Sequence, residues 1–269
     1  MAKVIARTCF MDIAKTIISK LRLILQLIGL IIFIVLVWEI LRNIGLLRND
    51  LIPSVASITQ SLIGLLFTEK FWADIAYTLF RAFVGLILAC FLGIPIGFLI
   101  GSNKFLSSLG TPIVDFFRSI PVTSLYPVFV LLLGIGNEGK IGMIFVGCVL
   151  VILLHSITAF ESRSLLRHHI SRLYGASQSF ILFRIISFEV LPNIITGIRV
   201  AIGFALIIAI LTEMFMGANR GMGQSIMEAY SIYNMSTMFA YIFVLGLIGF
   251  FFNRIFARLE SAMGGWRKR

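Results

Sequence analysis

Few residues in this chain could do chemistry, and their spacing argues against catalysis. Cys9, Cys90 and Cys148 stand far apart in apolar or terminal sequence. Without ligand or framework spacing they read as small hydrophobes. His155 interrupts an apolar run, while His168 and His169 adjoin Arg167. A metal centre would want further ligands nearby, so packed or solvated histidines are expected and no metal site is assigned. The chain contains no Gly-x4-Gly-Lys-Ser/Thr phosphate loop, and no Ser/His/Asp set or carboxylate pair spaced for acid–base work. The pattern predicts a chain that hydrolyses nothing itself and carries no cofactor of its own. Glu213 is the remaining chemical candidate, because a carboxylate inside an apolar run is functional by default. It follows Pro192 by 21 residues, which at about 1.5 Å per residue is a full membrane thickness. That distance predicts a position near the outer surface, either at an external mouth or as an ordinary interfacial acid.

The elements that must position these residues are built for lipid. The 269-residue chain is 59% hydrophobic and only 13% charged, with a mean hydropathy of +1.02. Charged residues supply about a quarter of an ordinary globular domain. Apolar runs at 23–41, 77–100, 111–133, 140–160, 192–216 and 237–256 approach the roughly 20 residues that cross a bilayer as a helix. The expected fold class is an all-α polytopic membrane protein with six transmembrane helices. A cleaved signal would be shorter and end in small residues; here Trp38, Glu39 and Arg42 stand at the end of the first run instead, which predicts a retained span.

Three regions are expected. Residues 1–70 hold a basic tail, the first helix and an external loop with a short interfacial helix. Residues 71–256 form the core and include a loop at 161–191, and residues 257–269 form a second basic tail. The net charge of +11 is explained by loops rich in Lys and Arg, without nucleic acid as a partner. Fifteen Lys/Arg fall on the side of the two termini and the 161–191 loop, against five on the other. This predicts that both termini and the 161–191 loop are cytoplasmic.

Two motifs bear on the core. "GIPIGFLIG" sets Gly93, Gly97 and Gly101 on one helix face, where another helix can approach closely, with Pro95 among them as a kink. "FRSIPVTSLYP" places Pro121 and Pro127 in the third span, with Thr123 and Ser124 between them. Broken backbone at membrane depth is tolerated where it is buried or lines a cavity. The segment is therefore either a wall of a translocation path or an irregular helix end. Arg199, seven residues into the fifth span, can snorkel to the inner surface.

The stretch from His168 to Ala201 breaks the apolar pattern. Helical spacing sets Leu173, Ala176, Phe180 and Phe183 on one stripe. Gly175 suits a left-handed residue that ends a helix, and Ser177 suits the N-cap of the next. Two short surface helices meeting at Gly-Ala-Ser are predicted, with Pro192 opening the fifth span. They form either an anchor in the headgroups or a plug for a partner's groove.

"LYGASQSFILFRIISFEVLPNIITGIRVAIG" resembles the cytoplasmic signature loop of ABC-importer permeases, whose pattern is Glu-Ala-Ala, three residues, Gly, then Leu-Pro. Gly175, Ala176, Ser177, Leu191, Pro192, Gly197 and Arg199 match in order, whereas His169, Ile170 and Ser171 stand where the family has Glu-Ala-Ala. "LIPSVASITQSL", "TLFRAFVGLILACFLGIPIGFLIG", "FFRSIPVTSLYPVFVLLLGIGNEGKI" and "TEMFMGANRGMG" resemble the nitrate/sulfonate/taurine-type permeases over roughly residues 51–223. The resemblance implies a type I importer fold working as a homodimer, with two cytoplasmic ATPase subunits that bind ATP and Mg and an external solute-binding protein. It implies an ATPase-coupling loop at His169, Arg172, Leu173, Gly175, Ala176, Ser177, Phe180 and Pro192, and a small, anionic solute. An autonomous secondary transporter or channel, the alternative, would favour a midplane carboxylate or inverted repeats, and neither is visible.

Overall fold

A computed structural model of the chain describes residues 26, 29–30, 32–44 and 51–264. The chain divides into two compact units, Met1–Ser61 and Leu62–Arg269. In the first, residues 32–43 form helix α1, the described end of the predicted first span; most of the 23–41 run lies outside the described residues. Glu39 near its end accepts the backbone N–H of Val55 at 2.8 Å and pairs with Arg42 at 3.0 Å.

Helix α2 (Val55–Leu66) is the short helix expected after the first span, and α3 (Glu69–Ser102), α4 (Lys104–Arg118) and α5 (Tyr126–Leu133) follow. After α6 (Asn137–Glu161) come α7 (Leu165–Leu173), α8 (Gln178–Phe180), a π-turn at Ile181–Ile186 and α9 (Ser187–Phe215), then α10 (Met222–Ser231) and α11 (Met235–Gly264). The described residues contain no strand. Four of their helices are long and apolar enough to span a membrane, and the bent pair Lys104–Arg118 with Val122–Leu133 makes a fifth if counted as one crossing.

The core is α6 held between α3 and α9, and both partners approach it with small residues. Along α3 a row at four-residue spacing runs Arg81, Gly85, Ala89, Gly93, Gly97, Gly101, all buried. Along α9 the matching row runs Gly197, Ala201, Ala205, Ala209, Glu213, again all buried. Lipid is as apolar as a leucine side chain, so helices in a membrane associate through close packing more than through water exclusion. A Cβ on Gly93 would stand 3.0 Å from Ile152, and one on Gly197 2.5 Å from His155. Both rows end in a charged residue at the same end of the bundle.

Three expectations about elements are corrected. The 111–133 run is no single helix: it bends by 74° around residues 119–121, because Pro121 and the 3-10 turn Val122–Leu125 interrupt the ladder. The interval 101–110 between the second and third apolar runs is no loop but largely the first half of α4, started by Asn103, whose side-chain oxygen accepts the Phe105 N–H at 2.8 Å. The short helix α8 beyond Ser177 does not stand apart from the fifth span. Helix Gln178–Phe215 runs on through the π-turn, and Pro192 sits buried inside it and does not open it.

Candidate functional site

The bundle end where the two small-residue rows finish is closed by a polar clasp. Helix α10 begins at Gly221 with no side-chain cap of its own, so its first backbone N–H groups need partners from elsewhere. Asp74 accepts the Gly221 N–H, Thr78 Oγ1 that of Met222 and Glu213 that of Gly223, each at 2.9 Å. Negative groups are favoured there by the helix dipole. Glu213, 0% exposed, also accepts Thr78 Oγ1–H at 2.9 Å and pairs with Arg81 at 2.6 Å. Asp74 is completed by Ser225 at 2.6 Å and Tyr241 at 3.2 Å. Arg81 reaches further, to Asn137 at 2.8 Å and the Arg220 carbonyl at 2.9 Å. Gly221 is required: its φ is +144°, and a Cβ would stand 2.6 Å from Glu213 Oε2.

This corrects the expected surroundings of Glu213, which is sealed inside protein and does not lie at an open interface. The signal for the clasp was present in the sequence, since Asp74, Thr78 and Arg81 recur on one helical face of an apolar span and "GANRGMG" follows Glu213 closely.

The second feature is the break between α4 and α5. Pro121 lines a cavity of about 400 Å³ together with Arg118, Ser119, His155 and Phe204. Thr123 lines a neighbouring cavity of about 310 Å³ with Tyr126, Met143, Thr212 and Phe215. Ser124 is exposed and turns back on its own loop, its hydroxyl donating to the Pro121 carbonyl at 2.7 Å. Tyr126 Oη donates to the Phe215 carbonyl at 3.1 Å, tying the start of α5 to the end of α9. Pro121, Thr123 and Ser124 therefore share the break, while Glu213 faces the clasp.

The third feature, the 161–191 segment, lies at the opposite end of α6. Ser164 caps α7, and its backbone N–H is held by Glu189 of α9 at 3.0 Å. Arg163 donates to the Gly101 and Ser102 carbonyls at 3.1 Å each and to Phe160 at 3.0 Å, closing the ends of α3 and α6. Gly175 has φ +76°, which a branched side chain resists. Across this turn Arg172 donates to Gln178 at 2.8 Å. Ser177 Oγ accepts the Phe180 N–H at 3.3 Å.

The predicted apolar stripe is broken here, because the turn separates Leu173 from Phe180. Leu173 and Tyr174 are 86% and 89% exposed, Phe180 is half exposed, and Ala176 packs inward against the α6–α9 core. The side chain of Phe183 lies outside the described residues. His169 is exposed on α7. Sequence reasoning missed Arg163 and Glu189, whose roles depend on carbonyls and N–H groups far away in the chain.

The chain also matches a known protein family. The description "binding-protein-dependent transport system inner membrane component" matches residues 93–265. A putative ABC transporter permease protein of Methanocaldococcus jannaschii is 29% identical over 238 residues, covering 87% of this chain and 89% of that protein. A putative aliphatic sulfonates transport permease protein of Bacillus subtilis is 24% identical over 234 residues, covering 87% and 84%. In structure the chain is similar to inward-facing MetNI methionine ABC transporter, with a TM-score of 0.63 at 22% identity over 73% of this chain and 99% of that one; this supports the type I permease fold. On this match the chain belongs to the binding-protein-dependent transport system inner membrane components, the membrane-spanning permease subunits of ABC importers.

Proposed function

We propose that this permease carries a small anionic solute inward, works as a homodimer, and holds both termini and the 161–191 segment in the cytoplasm. ATP is hydrolysed by a partner chain, and an external solute-binding protein delivers the solute. The name of the sulfonate-transporting relative supports the anionic class, and the distribution of Lys and Arg supports the orientation.

The observation that carries the transport reading is the break between α4 and α5. Its 74° bend interrupts an apolar run of spanning length beside two cavities, and broken backbone at membrane depth is tolerated only against protein or a water-filled path. On this reading Thr123 and Pro121 face the path. Tilting of α4 and α5 against α6 and α9 opens it to one side at a time.

Reconstitution with the ATPase and the binding protein tests this, with ATP-dependent uptake of an alkanesulfonate as the readout. Thr123→Phe, which fills the smaller cavity, is expected to cut uptake about tenfold or more, one such factor being 1.4 kcal/mol in the barrier. Unchanged uptake by a variant that assembles normally would remove the break from the path.

A further inference from the structure

At the end of the bundle opposite the 161–191 segment a cavity of about 650 Å³ opens beside the clasp. Its wall contains Arg81, Lys140 and Arg220 and no carboxylate, with Asn137, Asn219 and Gln224 as further polar groups. The opposing charge, Glu213, stands behind Arg81 and is fully consumed by the clasp. Lys140 is only 2% exposed, yet it has no carboxylate within ion-pair reach among the described residues. Its ammonium is held by two carbonyls, Ile135 at 2.5 Å and Gly136 at 3.3 Å. Arg81 Nη2 takes part in none of the described hydrogen bonds, and neither does the Arg220 guanidinium. Helix α6 also starts at this wall, and Gly136 gives its first N–H groups no side-chain cap. Glu138 in the same turn is exposed and does not line the cavity.

A buried cation without a counter-ion is costly, and such a site is relieved when an anion arrives. Guanidinium forks match the paired oxygens of sulfonate, sulfate, phosphate or carboxylate.

We infer that this recess, bounded by Arg81, Lys140 and Arg220, is a binding site for a small oxyanion at the mouth of the permease. The inference rests on the reading of the chain as an anion permease and deepens it: the permease itself screens charge before the solute reaches the α4–α5 break. The concave wall and the depth of Lys140 favour a small ion over an acidic surface loop of the binding protein, which could meet Arg220 and not the ammonium behind it.

The test uses the full-length permease and inorganic sulfate. In phospholipid-free detergent the wild type should bind labelled sulfate saturably, and Arg220→Gln should raise the Kd about tenfold, the loss of a charge-assisted contact. Lys140→Gln should do the same. Because its packing leaves that variant open to misfolding, the exposed Arg220 carries the decision. Repeating the titration in nanodiscs of phosphatidylglycerol separates the sources of the anion. Unchanged sulfate binding assigns the recess to a free oxyanion; lost binding assigns it to a lipid phosphate; either upholds the oxyanion site. Absence of saturable binding, or binding indifferent to both substitutions, overturns it. So does an Arg220→Gln variant that binds sulfate normally but loses its grip on the binding protein. Sulfate binding requires no uptake. A complex that carries no anionic solute would therefore sink the transport reading separately, while active transport without sulfate binding would sink the recess alone.

Discussion

Glu213 shows how a membrane chain tolerates a carboxylate at full burial. Arg81, Thr78 and the Gly223 N–H satisfy it from three directions. Removing one partner of a buried ion pair leaves the other uncompensated, at about 3–5 kcal/mol. Glu213→Gln should therefore lower the detergent melting temperature markedly, and the added change Arg81→Met should recover part of the loss. A double variant no better than the single one would show that the pair is not the source of the stability. The exposed pair Lys70–Glu228 nearby, at 2.5 Å, is a contrast. Donation from Lys70 holds the Glu228 carboxyl below the usual carboxylate range. A depressed carboxylate stabilises above its unfolded value, about 4.3, and loses that contribution as pH falls through its folded value. Glu228→Gln should cost less than about 1 kcal/mol at neutral pH. In thermal melts the difference from wild type should shrink as pH falls below the unfolded value and disappear in stronger acid; a difference that grew there would contradict the assignment.

Among the elements, the turn between α7 and α8 is the proposed contact with the ATPase. Arg163 and Glu189 brace its base. Its tip presents Leu173 and Tyr174 almost wholly to the outside. A large apolar side chain is worth about 1.5–3 kcal/mol when buried, and the spans already hold the chain in the membrane, so a second anchor would add little. A braced knob suits a moving partner better. A cysteine at Ser177 should crosslink to the ATPase subunit with a yield that changes on adding ATP. Free labelling of that cysteine, whether or not the ATPase is present, would remove the coupling role. The π-turn at Ile181–Ile186 links this knob directly to α9, and such turns mark functional sites in many helices.

For the whole molecule, α6 is the axis between two rows of small residues, and the clasp and the turn lie at its opposite ends. Helix α6 has 25 residues, so the ends stand about 37 Å apart at 1.5 Å per residue. A push at the turn can reach the clasp end only through the packed helices, whose small-residue contacts resist local give. The orientation in the membrane is open to a direct check. A reporter fused after Arg269 should be active in the cytoplasm, as the distribution of Lys and Arg requires. Periplasmic activity would reverse the topology and the assignment of the turn with it.

The sequence by itself determined the membrane class and the positions of most long helices, because apolar runs of bilayer length cannot be used otherwise. Its family signature also identified the kind of protein. It marked Gly175 and Ser177 too, since a left-handed turn and an N-cap are properties of single residues and their neighbours. Only the tertiary structure decided the rest. That Glu213 meets Arg81 132 positions away, that Arg220 and Lys140 share a recess, and that the run around Pro121 folds back by 74° follow from how helices pack against one another. Hydropathy assigns each run a medium and says nothing about which face meets which neighbour. Partners for a buried charge are chosen by that facing, so they become visible only when the bundle is assembled.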